Sequence, residues 1–600
     1  TEIAIVADTP TAVTPDDPTP NHVTPDDLTP DHVAPNHVAP NHVTPDEVTA
    51  RRRFRVPHRM PAVLAALVPT GATALHALAY GRWIVDDAGI TFAYARSITS
   101  GHGPVLQPGA APVEGYSDPA WLGVLMVGRW LGLFDHGAWF GVPDYVLFPK
   151  GVALLCCAVV FFAGYRATAA VCRRPALVAT LAGLVVAATP SFVIWSFSGL
   201  ENSLLAAATV GLAAVLVTAA ANGRLLTVRT ALWCGLLAAL AALTRPEGLV
   251  YAAAYPVVAM LWVTRATLRR TVWTVPLSLV GFAVPAGGYL AWRLAEFHSV
   301  VSNTTVAKSQ TPPTVSDLSK AADLAGYAGW PIVLVAVVCV GTALARPSRA
   351  RTGLVALLVP LLLAVLAYAV LVQDWMGEYR FATPIWPLAA YATAISMAQV
   401  LPHLAVRGRA TLTVLTALAC VVTGVGWQQD AARFRVGPTL PVCVVAAQAR
   451  EYDGYARLLG LRDATVLLPD IGGTALVTHL RVVDLAGLAD ARIAEYWAHS
   501  DMDGLRNYVF TSLRPTIIHA HGAWSKATGL LPTDPRTIAA YYVVRRTPGG
   551  GANLIRRDVV PDQRTLAALR AFAAKAAGPE AAAAYARRSS CGPTLRPDDS

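Results

Sequence analysis

Long apolar stretches recur along this 600-residue chain from Met60 to Trp427 and constrain its fold more than any other feature. Many of them approach the roughly 20 residues that an α-helix needs to cross a bilayer. Only 14% of the residues are charged, whereas a soluble protein carries about a quarter. The sequence therefore predicts an all-α polytopic membrane protein with about eleven transmembrane helices.

The apolar segments set the predicted spans and leave one segment out. The stretch at 119–134 is short, contains Arg129 and ends in Gly-Leu-Phe-Asp, so we expect a helix on the membrane surface. The predicted spans lie near 60–80, 149–171, 177–195, 201–221, 230–244, 248–263, 272–295, 327–345, 353–373, 381–401 and 410–427.

Basic residues alternate between the loops and predict the orientation. Arg51, Arg52, Arg53 and Arg55 precede the first span, and basic flanks face the cytoplasm. With the N-terminus inside, every later inside loop is also rich in arginine, which predicts a multi-pass protein of the plasma membrane. The net charge of +10 is therefore attributed to topology and contact with anionic lipids, and nucleic-acid binding is not expected.

Composition divides the chain into three predicted parts. Residues 1–58 form a cytoplasmic tail with a Pro-rich five-residue repeat, in which proline opposes helix and strand alike. Residues 59–427 form the membrane part, with a large first outer loop at 81–148. Residues 428–600 alternate β-like and helical runs, and predict a soluble extracytoplasmic α/β domain. Its two cysteines, Cys443 and Cys591, could form a disulfide in an oxidising compartment.

Unusual polar clusters fall on the predicted outer face. Asp86 and Asp87 follow the first span, where adjacent carboxylates are costly and therefore point to function. No functional role is expected for the histidines outside these clusters. Those of the repeat tail are expected to be solvated, and His519 and His521 are expected to be strand residues rather than ligands. The remaining outer-face candidates are Glu114, Tyr116, Glu201, Arg245, Glu247, His298, Lys308, Asp374, Trp375 and Arg380.

These residue types suit the transfer of a sugar from a lipid phosphate. Asp86 or Asp87 would act as the general base for the attacking hydroxyl. Lys308, Arg380 and Arg245 would neutralise the departing phosphate. Sugar and acceptor contacts would fall to the other carboxylates and aromatics, together with His298. Structural alternatives stay open: Glu201 can cap a helix, Arg245 and Glu247 can form a structural pair, and Lys308 and Arg380 can snorkel.

Several ordered motifs resemble the GT-C superfamily of polyprenyl-phosphate-sugar-dependent glycosyltransferases. The segment DDAGITFAYARSITSGHGPV, followed by VEGYSDPAW, is similar to the first extracytoplasmic loop of that superfamily. SGLEN, LTRPEG, NTTVAK, DWMGEYRFATPIWP and VVDLAGLAD resemble further segments of one branch, the actinobacterial cell-wall arabinofuranosyltransferases that add terminal arabinose to arabinan. Val372-Gln373-Asp374 departs from the Gly-Gly-Asp usual in that branch.

The resemblance implies a polyprenyl-phosphate arabinofuranose donor, a cell-wall polysaccharide acceptor and no required metal, although the acidic pair leaves a divalent ion open. A mannosyltransferase of the same superfamily is the near alternative. A transporter or flippase is less favoured, because the charged residues lie at the ends of the spans rather than at mid-membrane. A cell-wall assembly protein without catalytic activity is less favoured as well, because the acidic residues of the first loop are intact. Which aspartate is the base, and whether the configuration is retained or inverted, stays open.

Overall fold

A computed structural model describes residues 60–308, 317, 319–372, 374–576 and 591–597 of the protein. The predicted repeat tail lies outside the described residues. Up to residue 436 the described chain is helical, apart from a small hairpin of β1 (Ala138–Trp139) and β2 (Val142–Pro143). The helices are α1 (Met60–Leu78), α2 (Asp86–Thr99), α3 (Pro119–Trp130), α4 (Asp144–Val171), α5 (Pro175–Ala188), α6 (Pro190–Ser196), α7 (Asn202–Ala221), α8 (Val228–Thr244), α9 (Ala254–Leu261), α10 (Leu268–Phe297), α11 (Asn303–Ala307), α12 (Ser319–Ala328), α13 (Trp330–Ala345), α14 (Arg349–Val370), α15 (Ile385–Val400) and α16 (Val406–Val436).

The structure does not confirm the predicted number of eleven spans. Within the described residues, six helices are long and apolar enough to cross a membrane, and the count reaches eight if each of two bent pairs is one span. The pair α5 and α6 bends by 75° at Pro190, and the pair α12 and α13 bends by 100° at Gly329, whose φ of 88° lies in the left-handed region. All eleven predicted segments contain helix, but eleven full crossings are not confirmed, because several helices are short or broken.

Helix α3 coincides with the apolar stretch that we predicted not to cross the membrane. It has 12 residues, which at 1.5 Å per residue gives about 18 Å, too short for the roughly 30 Å hydrocarbon core. Val127 and Trp130 are exposed on it, whereas Trp121 is fully buried and donates its indole N–H to the carbonyl of Gly199. One face of α3 therefore anchors the loop that follows the acidic pair.

The membrane helices pack through small residues. Helices α8 and α10 approach so closely at Gly235 that a Cβ there would lie 2.1 Å from the backbone oxygen of Ser278. Close approach of backbones at small residues is the usual way that helices associate in a bilayer, where burial of apolar surface supplies no driving force between them. This packing fixes the ends of the spans, and with them the loops that carry the polar residues.

Beyond α16, the chain forms a five-stranded mixed sheet with helices around it. The strand order is β4-β3-β5-β7-β6, with β3 parallel to β4 and β5, and with β7 antiparallel to β5 and β6. Residues 56–600 form one compact unit, so a separate domain beginning at residue 428 stays a prediction. The elements are α17 (Val442–Leu458), β3 (Thr465–Leu468), α18 (Gly472–Val477), β4 (Arg481–Asp484), α19 (Ala491–Ala498), α20 (Met502–Tyr508), β5 (Ile517–Ala520), α21 (Gly522–Thr528), α22 (Pro535–Ala540), β6 (Tyr541–Arg546), β7 (Ala552–Arg556) and α23 (Gln563–Ala576).

A disulfide ties the end of the chain to this sheet region. Cys443, in the first turn of α17, is bonded to Cys591, and their Cα atoms are 5.1 Å apart. The segment that follows Cys591 also contacts the membrane part, because Arg96 of α2 donates to the carbonyl of Leu595 at 2.6 Å. The pairing considered from sequence is thus present, and it closes a loop of 148 residues.

Candidate active site

The acidic pair occupies the first two positions of α2, where the start of the helix is held by another part of the chain. The backbone N–H of Asp86 donates to the carbonyl of Leu440 at 2.9 Å, and that of Val442 donates to Ile84 at 2.9 Å. Carboxylates in the first turn of a helix are stabilised by the free N–H groups and the positive end of the helix dipole. The acidic pair is therefore fixed between the membrane part and the entry to the sheet region.

Asp86 is buried, and each of its carboxylate oxygens accepts a hydrogen bond. Its carboxylate accepts hydrogen bonds from the backbone N–H groups of Gly472 at 3.2 Å and Gly473 at 2.7 Å, the first residues of α18. A Cβ at Gly472 would lie 1.9 Å from the carbonyl oxygen of Asp86, so only glycine permits this approach. Burial, and then the charge of Asp470, raises the pKa of Asp86 well above its ordinary value. The contacts make Asp86 a positioning group between two helix starts.

Asp87 differs from its neighbour because its carboxylate receives no hydrogen bond from the described residues. The side chain is half-buried. Burial raises the pKa of Asp87, while the positive charges of Lys308 and Arg380 oppose that rise. A carboxylate with free oxygen atoms and a raised pKa is suited to accept a proton from a hydroxyl group.

Arg380 is buried beside the acidic pair and forms an ion pair with Asp374, with 2.7 Å between Nε and Oδ2. Its guanidinium lies over the rings of Phe381, at 4.8 Å, and Trp195, at 5.7 Å. One terminal nitrogen contacts only the sulfur of Met376, at 3.0 Å, which is a weak acceptor. Arg380 therefore keeps donor capacity for a stronger acceptor, such as a phosphate oxygen.

The loop before Arg380 has an unusual backbone. Gly377, Glu378 and Tyr379 have φ values of 73°, 48° and 51°, in the left-handed region that non-glycine residues avoid at a cost of about 1–2 kcal/mol each. The surrounding structure holds this conformation, since Trp195 donates its indole N–H to the carbonyl of Glu378 at 3.0 Å. Asn202 likewise donates to the carbonyl of Arg380 at 3.0 Å. Strain of this kind is typical of functional sites.

Arg245 is also buried, but its charge is already balanced. It forms ion pairs with both Glu201 and Glu247, and its guanidinium lies 4.5 Å from the ring centre of Phe381. The two carboxylates predicted to contact substrate therefore contact a protein cation. Through Phe381, this group also supports the segment that carries Arg380.

Lys308 follows the last residue of α11 and lies among the same charges. Part of its side chain is exposed to solvent, although protein atoms surround it on most sides. Desolvation by these atoms, and then the charge of Arg380, lowers the pKa of Lys308, whereas the charge of Asp87 raises it. Among the described residues no carboxylate lies within ion-pair distance of its ammonium group. Of the three predicted phosphate-binding cations, Lys308 is thus the one that lacks a carboxylate partner.

Glu114 and Tyr116 form a second polar group. Both carboxylate oxygens of Glu114 are occupied: Arg293 donates at 2.6 Å and 3.0 Å, and the hydroxyl of Tyr289 donates at 2.6 Å. Tyr116 is buried, and its hydroxyl accepts from that of Tyr289 at 3.4 Å. The structure therefore gives these residues protein partners.

A cavity of about 250 Å³ opens beside the Asp374–Arg380 pair. Burial, and then the charge of Asp430, raises the pKa of Glu378 in its wall to about 7. Cations, carboxylates and aromatic rings in one wall fit a polar ligand with hydroxyl groups. The lining residues are Lys320, Asp323, Tyr368, Leu371, Val372, Asp374, Gly377, Glu378, Tyr379, Arg380 and Phe381.

Two predicted site residues are not joined to this group by any described contact. His298 ends α10 with a left-handed φ of 54°, and its side chain has no hydrogen bond within the described residues. Trp375 is 65% exposed. The structure therefore brings together Asp87, Lys308, Arg380 and Asp374, with Arg245 behind them, while His298 and Trp375 lie at the surface of the candidate site or beyond it.

Two carboxylates near this group, Asp118 and Asp470, are not among the site residues predicted from sequence. Asp118 is buried and accepts from the hydroxyl of Thr91 at 3.2 Å; burial, and then Glu201, raises its pKa to about 8. Asp470 interacts electrostatically with both members of the acidic pair. Asp118 stands inside the quoted VEGYSDPAW motif. Asp470 stands two residues before Gly472 and Gly473, the first residues of α18.

Comparison with known proteins agrees with the helical architecture. No protein-family model matches the sequence, and no curated protein is a significant match. The chain is similar to apo ArnT from Cupriavidus metallidurans, with a TM-score of 0.52 and 14% identity over 83% of this chain and 98% of ArnT. Against ArnT bound to undecaprenyl phosphate, the TM-score is 0.50, with 14% identity over 84% and 100% of the two chains.

A second group of similar structures is archaeal. The apo oligosaccharyltransferase of Archaeoglobus fulgidus has a TM-score of 0.52 and 10% identity over 87% of this chain and 78% of its own. At such low identity the similarity bears on the fold, which is the one that the sequence motifs predict. The protein is a multi-pass membrane protein whose fold is similar to that of ArnT and of the archaeal oligosaccharyltransferase.

Proposed function

We propose that this protein is a glycosyltransferase that moves a sugar from a polyprenyl phosphate to a cell-wall polysaccharide. The observation that carries the proposal is the electrostatic interaction of Asp87 with Lys308. Within the described residues, the carboxylate of Asp87 receives no hydrogen bond and the ammonium group of Lys308 forms no ion pair. Arg380 interacts electrostatically with both of them. The GT-C fold is consistent with this reading, and one structure of that fold has undecaprenyl phosphate bound.

Asp87 would act as the general base. It accepts the proton of the acceptor hydroxyl as the oxygen bonds to the anomeric carbon of the donor sugar. The bond from that carbon to the phosphate oxygen breaks, and polyprenyl phosphate leaves with the electron pair. A positioned base of this kind contributes about 10²–10⁴-fold to a rate. Asp86, held by two backbone N–H groups, would keep the start of α2 in place.

Lys308 and Arg380 would bind the donor phosphate. Their donors are available within the part of the chain that the structure describes, since no carboxylate there pairs with Lys308 and one nitrogen of Arg380 contacts only a thioether. Charge-assisted bonds to the phosphate would strengthen as negative charge develops on the leaving group. Arg245 would not contact the phosphate. It pairs with Glu201 and Glu247 and packs against Phe381, and so supports the segment that carries Arg380. Since side chains can neutralise a single phosphate, this step needs no metal.

The donor sugar is proposed from sequence resemblance. The branch-specific motifs favour arabinofuranose as the donor sugar and arabinan as the acceptor, and a mannosyl donor is the competing assignment. The arginine-rich alternate loops favour a reaction at the extracytoplasmic face. Direct displacement with Asp87 as the base inverts the anomeric configuration. Retention would require a front-face path or a carboxylate nucleophile.

The test is transfer by purified protein in detergent or proteoliposomes. Radiolabelled polyprenyl-phosphate arabinofuranose and polyprenyl-phosphate mannose are each offered with arabinan or mannan oligosaccharides, and NMR reads the anomeric configuration of the product. We expect arabinose on arabinan, and loss of transfer in Asp87→Asn. Mannose transfer alone would replace the donor assignment. Movement of the lipid-linked sugar across proteoliposomes without any new glycosidic bond would overturn the proposal in favour of a flippase.

A further inference from the structure

A compact group of three metal-binding residue types lies in the sheet region. Asp470 follows β3, His519 belongs to β5, and His521 follows β5. Because β3 and β5 are parallel neighbours, their carboxyl ends meet at one edge of the sheet. One ligand atom from each of the three residues lies within 4.8 Å of the others. His519 is a strand residue as predicted, but its surroundings are those of a ligand.

The orientation of His519 is set by its neighbours. Asn553 donates its amide N–H to Glu451 at 2.8 Å, which turns its oxygen towards His519 Nδ1, 2.6 Å away. His519 Nδ1 must therefore carry the proton, and Nε2 is left with a free lone pair. A metal-binding histidine has this arrangement, with its other nitrogen donating to a fixed acceptor.

Asp470 and His521 complete the group and are close enough to share a metal ion. The Oδ2 atom of Asp470 lies 2.6 Å from Nε2 of His521. Two ligands at about 2.0–2.1 Å from a tetrahedral Zn²⁺ lie roughly 3.3 Å apart, so this pair would open by less than about 1 Å. Asp470 is largely buried, whereas the side chain of His521 is 33% exposed, which leaves a path for an ion from the solvent.

We propose that Asp470, His519 and His521 bind a divalent transition metal ion, of which Zn²⁺ fits best. Two imidazoles and one carboxylate favour zinc over magnesium or calcium, which prefer all-oxygen sites. Three protein ligands leave a fourth position open beside His521 for water or a ligand oxygen. This site is separate from the cations proposed for the donor phosphate, and it does not depend on the proposed function.

The loop between β3 and α18 links this site to the acidic pair. Asp470 begins that loop, and two residues later Gly472 and Gly473 donate to Asp86. An ion held by Asp470 would restrict the motion of the loop, and so would fix the two N–H groups that orient Asp86. The metal would thus stabilise the contact between the sheet region and the start of α2.

The test is zinc binding by the chelator-treated full-length protein in detergent. The tail histidines can bind zinc by themselves, so the parent protein carries His→Asn at positions 22, 32, 37 and 42. We expect one Zn²⁺ per chain by calorimetry and elemental analysis, with a rise in Tm. His521→Asn and Asp470→Asn should weaken binding by at least about 100-fold, since loss of a partner behind a ligand alone costs 10–100-fold.

The matched control is His499→Asn. His499 lies on the surface near Glu495, at 3.6 Å, and has no third ligand, so zinc binding should match the parent. Circular dichroism and an intact Cys443–Cys591 bond establish that each variant is folded. The proposal fails if the parent binds no zinc at millimolar concentration, if both site variants bind like the parent, or if Mg²⁺ binds as tightly as Zn²⁺. Replacement by Co²⁺ gives a second readout, because Co²⁺ absorbs intensely in the visible range only in a four-coordinate, near-tetrahedral site.

Discussion

Two carboxylates of the segment between α1 and α4, Asp87 and Glu114, have opposite surroundings. Both oxygens of Glu114 are occupied by Arg293 and Tyr289, whereas Asp87 has no hydrogen bond from the described residues. The charge of Glu114 is balanced by Arg293, whereas the carboxylate oxygens of Asp87 are available to a bound substrate. Burial alone therefore does not distinguish a structural carboxylate from a reactive one, but the state of its hydrogen bonds does.

The largest effect should come from Asp87→Asn. The amide cannot take a proton, so kcat should fall by about 10³-fold, within the range for a general base. The melting temperature should not decrease, because the substitution removes a partly buried charge. Steady-state transfer assays and thermal unfolding in detergent provide the two measurements. Activity within tenfold of the parent would remove the distinction between the two carboxylates.

Glu114→Ala should act on stability instead. It leaves Arg293 without its buried partner, which costs about 3 kcal/mol, at the lower end for a broken buried pair because Arg293 is partly exposed. The kcat of the folded fraction should stay within tenfold. Unfolding curves and assays normalised to folded protein separate the two effects. A hundredfold loss of activity in folded protein would place Glu114 in the substrate site.

Lys308→Met should lower kcat/KM by about 10²-fold, the scale for loss of one group that stabilises developing charge. Stability should change little, since the ammonium has no carboxylate partner among the described residues. Lys526→Met, at an exposed position of α21, is the matched control and should behave like the parent. Equal kinetics for both variants would contradict a phosphate-binding role for Lys308.

The smallest effect concerns Asp118, a third carboxylate of this segment. Its pKa is raised to about 8 by burial and Glu201, so the folded protein holds a proton that the unfolded chain releases above about pH 4. Stability is therefore lost as the pH rises from 4 to 8. Asp118→Asn removes this loss, so its Tm should equal that of the parent near pH 4 and exceed it by a few degrees at pH 8. An advantage that does not depend on pH would contradict the raised pKa.

The helices and the polar outer loops were predictable from sequence for a simple reason. Apolar length determines where a chain can cross a bilayer, and short connections bring loops of one face together. Lys308 and Arg380 were accordingly chosen without any contact information. The helix breaks at Pro190 and Gly329 were not anticipated, because proline and glycine also occur inside continuous membrane helices.

The contact between Asp86 and Gly472 could not be predicted, since 386 residues separate them and no local pattern records such a pairing. The same holds for the left-handed Glu378 and Tyr379, whose conformation is maintained by tertiary hydrogen bonds. For His519 and His521, alternation within a strand was visible, but their approach to Asp470 depends on the order of strands in the sheet. Sequence patterns indicate the local preference of a segment for helix, strand or turn, whereas these features depend on contacts between distant parts of the chain.

The backbone pairing between Ile84–Asp86 and Leu440–Val442 has a consequence for protein engineering. A sheet region that follows a bundle of membrane helices could be taken for a domain that can be expressed or exchanged on its own. Here the start of α2, which carries Asp86 and Asp87, is held by backbone hydrogen bonds to Leu440 and Val442, so neither half alone contains the complete candidate site. Any truncation, fusion or domain exchange made near residue 430 would have to transplant this junction as a single unit.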